Sequence, residues 1–271
     1  MLNSPTLPAG ISGRNRRLLT RLHREFPAPF TVREAAGALD FSMPQARRFL
    51  AYLADRGWLV RVRHGLYATV SLEAETPGEW REDPWVVATK LFGPDCYLGG
   101  WTACEHWDLT DQIFRGTVVF TTRRVRSTET EVQGFPFCIR RVSPERIFGT
   151  RPVWRDRVRV DVSDPARTVV DLLDKPSLGG GIRHVAEVVV EYFRSEHRDE
   201  GRLDDYLTRF GNGAAYKRLG FLLEELDVPA PTTLGKCRDG LTSGISLLDP
   251  DLPRQGPATR RWNLRVNGNV N

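Results

Sequence analysis

Asp161, Asp164 and Asp171 gather around one strand-to-helix transition, "DVSDPARTVVD". Carboxylates so placed can hold Mg²⁺ for phosphodiester hydrolysis. No downstream E-x-K completes a nuclease pattern, and Asp164 before Pro165 has a capping role, so capping and surface ion pairs account for these residues. "SLGGGIRH" (177–184) is a glycine run ahead of a helix, a form that can cradle phosphate. It lacks G-x-x-x-x-G-K-[ST] and a strand directly before it, and reads as a flexible connector. Cys96, Cys104, Cys138 and Cys237 include no C-x-x-C pair, and Cys104 with His106 is too isolated for zinc. These four read as free thiols, buried or half-buried. There is no H-E-x-x-H and no G-x-S-x-G. The chain therefore reads as a non-enzyme with no cofactor and no metal.

The second chemistry on offer is polyanion binding. Residues 1–70 hold eleven arginines, no lysine and four acids (Glu25, Glu34, Asp40, Asp55), a net +7. The remainder, with 28 basic and 30 acidic residues, is −2. Positive charge concentrated in one segment is the electrostatic footprint of a nucleic-acid binder. Thr31, Ser42, Gln45, Arg47, Arg48, Arg61, Arg63 and His64 are the candidate DNA-facing residues. Gln suits adenine, and Arg suits guanine. "RRVRS" (123–127) and "IRR" (139–141) are basic strand ends that either extend such a surface or are solvated edge charges.

Those residues need elements to position them. "GRNRRLLTRLHREF" sets Leu18, Leu19, Leu22 and Phe26 on one helical stripe, ended by Pro27 and Pro29. "TVREAAGALD" opens with a capping box, Thr31 with Glu34, and turns Val32, Ala35, Ala36 and Leu39 inward. "FSMPQARRFLAYLADRGWL" repeats the signal with Ser42 and Gln45, tolerates Pro44 in its first turn, buries Ala46, Phe49, Leu50 and Leu53, and stops at Gly57. Asp40-Phe41-Ser42 is short enough for a helix-turn-helix. "VRVRHGLYATV" (60–70) then reads as a hairpin reversing at His64-Gly65, with Val60 and Val62 packed down and Arg61 and Arg63 outward. The order is that of a winged helix-turn-helix, whose second helix enters the major groove while the wing reaches phosphate or minor groove.

Ser71–Asp83 is polar and turn-rich and reads as a linker, so the domains are expected at 1–80 and 81–271. Asp83-Pro84 caps a helix over "WVVATKLF", and "DCYLGGWTACEHWDL" reads as a short strand entering a helix, with Trp101, Cys104 and Trp107 in the core. Strands are expected in "GTVVFTTRR", "FPFCIRRV" and "DRVRVDV", then helices in "SDPARTVVDLL", "GIRHVAEVVVEYF", "RLDDYLTRF" and "AAYKRLGFLLEEL", and a last strand in "RRWNLRV". The fold class is α+β (mixed α/β), a winged helix-turn-helix followed by a larger α/β domain. No apolar run approaches the ~18 residues of a membrane span, and the first residues lack a secretory pattern, so a cytoplasmic protein is expected.

Taken in order, these blocks resemble a known family. "TVREAAGALDFSMPQARRFLAYLADRGWLVRVRHGLYA" is similar to the winged-helix head of AbiEi-type antitoxins of bacterial abortive-infection toxin–antitoxin systems. "YLGGWTACEHWDL", "VSDPARTVVDLLDKP", "GGGIRHVAEVV", "YKRLGFLLEEL" and "SLLDPDLPRQGPATRRWNLRVN" resemble successive blocks of their C-terminal domain, over about residues 14–267. The resemblance implies a transcriptional autorepressor that binds double-stranded DNA at its own promoter. It also implies neutralisation of a companion nucleotidyltransferase-like toxin, often without a stable complex between the two. It carries no catalytic residue over to this chain. Two other readings stand beside it. One is a metal-dependent nuclease targeted by its winged helix; the other is a protein-binding module with a basic head.

Overall fold

The computed structural model describes residues 10–70 and 81–270. Most of the linker expected at Ser71–Asp83 lies outside them. The fold is α+β. The chain divides into two compact units. One comprises Met1–Pro94, Glu129–Phe137 and Val153–Val160; the other comprises Asp95–Thr128, Cys138–Pro152 and Asp161–Asn271. The boundary expected at residue 80 thus falls inside the first unit, which also takes in two later stretches of chain.

The first unit opens with helix α1 (Gly13–Glu25), capped by Ser12. Strand β1 (Phe30–Thr31) leads into α2 (Val32–Leu39), and α3 (Met43–Asp55) follows after three residues. Both expected capping boxes form. Thr31 Oγ1 accepts from the Glu34 N–H at 3.3 Å while Glu34 Oε2 accepts from the Thr31 N–H at 2.7 Å. Ser42 Oγ and the Gln45 N–H, with Gln45 Oε1 and the Ser42 N–H, do the same at 3.4 and 2.9 Å. Each cap stabilises its helix by about 0.5–2 kcal/mol. Leu19, Leu22, Phe30, Ala35, Leu39, Ala46, Leu50, Leu53 and Leu59 make one core beneath the three helices.

Strands β2 (Leu59–Arg63) and β3 (Leu66–Thr69) form the expected hairpin. Arg63 pairs with Leu66, so only His64 and Gly65 make the tip, and Gly65 takes the left-handed conformation at φ +75°. Val62 is buried, Val60 half-buried, and Arg61 and Arg63 exposed. The two-residue β1 was not expected from sequence. It pairs antiparallel with β3 and completes a three-stranded sheet in the order β1-β3-β2.

Helix α4 (Pro84–Phe92) belongs to the same unit, and its N-cap is Asp83, as expected. Near its last turn Lys90 pairs with Glu34 of α2. At its first turn Asp83 Oδ2 accepts from Arg155 Nε at 2.8 Å, and the Arg155 guanidinium lies 4.6 Å over the Trp85 ring.

A six-stranded sheet runs in the order β6-β7-β5-β4-β9-β8, with β4 (Cys96–Leu98), β5 (Thr117–Thr121), β6 (Glu129–Val132), β7 (Phe135–Arg141), β8 (Thr150–Arg155) and β9 (Val158–Ser163). β4 is antiparallel to β5 and parallel to β9. Helix α5 (Trp101–His106) follows β4 with Cys104 fully buried and Trp101 and Trp107 partly so. The second unit adds α6 (Pro165–Asp174), α7 (Ile182–Arg194), α8 (Glu200–Phe210), α9 (Gly213–Glu225) and α10 (Pro231–Asp239) around a large apolar core. The last expected strand is reduced to two residues, β12 (Leu264–Arg265), between β10 (Ser246–Leu247) and β11 (Ala258–Thr259). Trp262, 1% exposed, packs against Gly220 in the middle of α9, where an added Cβ would meet the indole at 2.1 Å.

Candidate nucleic-acid interface

Helix α3 stands between two grooves of the first unit. One, of about 510 Å³, is lined by Thr31, Arg33, Met43, Arg47, Arg61 and His64 with Val32, Ala51, Gly65 and Tyr67. The other, about 360 Å³, is lined by Arg14, Asn15, Phe41, Gln45, Arg48, Phe49 and Tyr52. The helical period explains the split. Met43, Arg47 and Ala51 repeat at four residues along one flank, and Gln45, Arg48 and Tyr52 at three and four along the other.

Five arginines line these grooves, and no carboxylate does. None of the five makes an ion pair among the described residues. Three of the unit's nearby acids are neutralised elsewhere: Glu25 and Asp40 pair with Arg21, and Glu34 with Lys90. Arg61 is braced rather than paired. Its Nη2 donates to Tyr67 Oη at 3.1 Å, and the guanidinium lies 5.5 Å over that ring. A cation held this way keeps its remaining donors and would lose little rotamer freedom on meeting an anion.

The structure therefore brings Thr31, Arg47, Arg61 and His64 together in one groove and Gln45 and Arg48 in the other. Ser42 is exposed at the α3 N-cap, and Arg63 is exposed on β2 but lines neither groove. Gln45, expected to face adenine through its amide oxygen and nitrogen together, has its oxygen accepting the Ser42 N–H. Because that partner is a donor, the amide orientation is fixed, and Nε2 and the second lone pair of the oxygen remain for an outside partner.

Elsewhere the candidate chemistries resolve into structural roles. Asp164 Oδ1 caps α6 by accepting from the Arg167 N–H at 2.9 Å, and its Oδ2 accepts from Tyr206 Oη at 2.9 Å. Asp171 accepts from Arg167 Nε at 3.0 Å and from Tyr97 Oη at 3.1 Å, all three being buried. Burial pushes the Asp171 carboxyl up to about 6 against the pull of Arg167. At the glycine run, the N-terminus of α7 is taken by Asp249, whose Oδ2 accepts from the Ile182 N–H at 3.1 Å. An internal carboxylate thus holds the place a phosphate would need. Cys96, Cys104 and Cys237 are buried, and Cys138 is half-buried. Among the described residues no cluster of His, Cys, Asp and Glu is arranged to hold a metal ion, and no helix is long and apolar enough to cross a membrane.

No family model matches the chain, and no curated protein matches it either. Among solved structures, the crystal structure of RV2827C protein from Mycobacterium tuberculosis aligns over 96% of this chain and 94% of that one. The TM-score is 0.66 and the identity 15%. At that identity the likeness is one of fold, extending over nearly the full length of both chains.

Arg14, Asn15, Arg33 and Met43 line the grooves but were not singled out from sequence. The available signal was their exposure on helices already recognised as amphipathic. Arg14 and Arg33 sit on α1 and α2, and only tertiary packing sets them beside α3.

Proposed function

We propose that the first unit carries a winged helix-turn-helix that binds duplex DNA, with α3 in the major groove and the β2–β3 hairpin as its wing. The observation that supports this most is the pair of grooves flanking α3, five arginines and no carboxylate between them. Phosphates of the two strands bordering a major groove would run along those flanks. Together with the resemblance to AbiEi-type antitoxins, this supports reading the protein as a cytoplasmic repressor of its own promoter and the antitoxin of a nucleotidyltransferase-like toxin. In the second unit Asp164, Asp171 and Asp249 are each engaged in hydrogen bonds inside the fold, which supports the binding reading over the nuclease reading.

The test is fluorescence anisotropy on a promoter fragment across a salt series. If the five groove arginines neutralise phosphates, log K should fall with log[salt] at a slope of about −4.5. Arg47→Ala with Arg48→Ala should flatten that slope by about 2. A salt-independent affinity, or an unchanged slope in the double variant, overturns the proposal. Mg²⁺-dependent cleavage of the fragment would favour a nuclease instead. The antitoxin half is checked by co-expression with a companion nucleotidyltransferase-like toxin, where growth should recover only when this chain is present.

A further inference from the structure

Phe30, Tyr67 and Arg61 stand in one row across the three-stranded sheet of the first unit. Tyr67 on β3 is paired with Phe30 of β1 on one side and with Arg61 of β2 on the other. Residues paired in this way project from the same face of a sheet. The row leads from core to groove. Phe30 is fully buried and stacks on Phe26 with ring centroids 4.7 Å apart. Tyr67, 4% exposed, belongs to the same core and also lines the larger groove. Arg61 is exposed on that groove. The pairing of β2 with β3 shifts register between Arg61 and Arg63, and a shift of this kind re-aims the side chains beyond it. Arg63, past the shift, lines neither groove.

A buried tyrosine usually finds a partner for its hydroxyl. Here the partner is a groove cation: Tyr67 Oη accepts from Arg61 Nη2 at 3.1 Å, and the guanidinium lies 5.5 Å over the ring. That bond uses one of the five guanidinium N–H groups, and the other four have no partner among the described residues. The guanidinium groups of Arg14, Arg33, Arg47 and Arg48 have no hydrogen bond, ion pair or ring contact among the described residues, so Arg61 is the groove arginine that the fold itself holds in place. We propose that Tyr67 is a positioning residue for DNA binding. It fixes the Arg61 guanidinium in the groove before DNA arrives, so that Arg61 meets a backbone phosphate with its rotamer already chosen. This rests on the DNA-binding reading above. Phosphate is the ligand class that suits the place, because the free N–H groups form a donor fork and no carboxylate lines the groove. A rotamer-rich side chain ordered in advance costs less to bind with than one ordered on arrival. The contact carries no base sequence, since phosphate contacts position a protein on the duplex without reading it.

The experiment measures fluorescence anisotropy of the full chain on a labelled promoter fragment and on an unrelated duplex of the same length, each across a salt series. Tyr67→Phe keeps the ring and the charge and removes the hydroxyl alone. Its affinity should fall about three- to tenfold, the scale of ordering one long side chain on binding. Its salt slope should match the parent's, because the slope counts phosphates neutralised and Arg61 still neutralises one. The loss should be equal on the two duplexes. Arg61→Ala should lose more and flatten the slope by about 0.9. Adding Tyr67→Phe to Arg61→Ala should then change affinity by less than about twofold, because the hydroxyl acts through Arg61. Unchanged affinity in Tyr67→Phe alone overturns the role of Tyr67. The same loss in the Arg61→Ala background also overturns it, since that marks a general weakening of the fold. A loss confined to the promoter fragment overturns it as well, by making the contact one with bases. Failure of the parent chain to bind either duplex overturns the DNA-binding reading itself.

Discussion

Arg167 is fully buried, and its guanidinium is used on every side. Nε goes to Asp171, Nη1 donates to the Phe148 carbonyl at 2.9 Å, and Nη2 donates to Tyr97 Oη at 2.8 Å, with the Phe148 ring 4.1 Å away. Removing one partner of such a pair strands the other charge in the core, at about 3–5 kcal/mol. Arg167→Met and Asp171→Leu are each expected to cost that much in urea unfolding. The double variant should cost clearly less than the sum, because it leaves no unpaired charge; strict additivity would mean the two do not act as a pair. At Gly220 the argument is steric. With Trp262 where a Cβ would go, Gly220→Ala must displace the indole, and a loss of about 1–3 kcal/mol is expected despite alanine's better helix propensity. A melting temperature equal to or above the parent's would show that the indole moves away freely.

At the scale of elements, Glu224 on α9 ties that helix to the C-terminal segment. It accepts from Arg261 at 2.6 Å through both oxygens, from Trp262 Nε1 at 2.7 Å and from Arg238 at 2.8 Å. Those bonds, Arg261's first among them, hold its carboxyl down at about 2. A depressed folded-state pKa means that the stabilisation is complete above the unfolded value near 4.5 and is lost as pH falls toward 2. Glu224→Gln should therefore lower stability at pH 7 by about 1–2 kcal/mol, allowing for solvent screening, and by little near pH 2. An equal loss at both ends would assign the effect to shape and not to charge. Elements of this kind were legible in sequence wherever a local rule sufficed. The capping boxes at Thr31 and Ser42, the stop at Gly57 and the Asp164 cap of α6 are read from residues within four positions of each other. The elements missed are those defined by partners far along the chain. β1 is a strand because β3 lies beside it. β6 is mostly polar, and β8 sits at a sheet edge interrupted by Pro152, which edges tolerate. α10, "PTTLGKCRD", has almost no apolar stripe. The interface followed the same division. Arg47, Arg48 and Arg61 stand out by helix face and strand alternation, whereas Arg14 and Arg33 join them only through packing of α1 and α2. The hydrogen bond of the Gln45 oxygen to the Ser42 N–H follows from the capping box and was legible in the sequence.

At the scale of the whole chain, charge and architecture divide at different places. The excess of +7 is confined to residues 1–70, so the proposed electrostatic capture of DNA would belong to that segment, and the salt series should report on it alone. The compact unit that holds the segment is larger. It takes in α4, which meets α2 through Lys90 and Glu34, and it takes in residues 153–160, which meet Asp83 and Trp85 through Arg155. This has a bearing on biosynthesis. The three-helix core can collapse once its own 70 residues have left the ribosome, but Arg155 is made 85 residues after Val70. Until it emerges, the loop that starts α4 lacks its clamp. Nascent chains arrested near residue 140 should then be cut by protease around residues 81–94 far more readily than chains arrested well past residue 200, with the α1–α3 segment resistant in both.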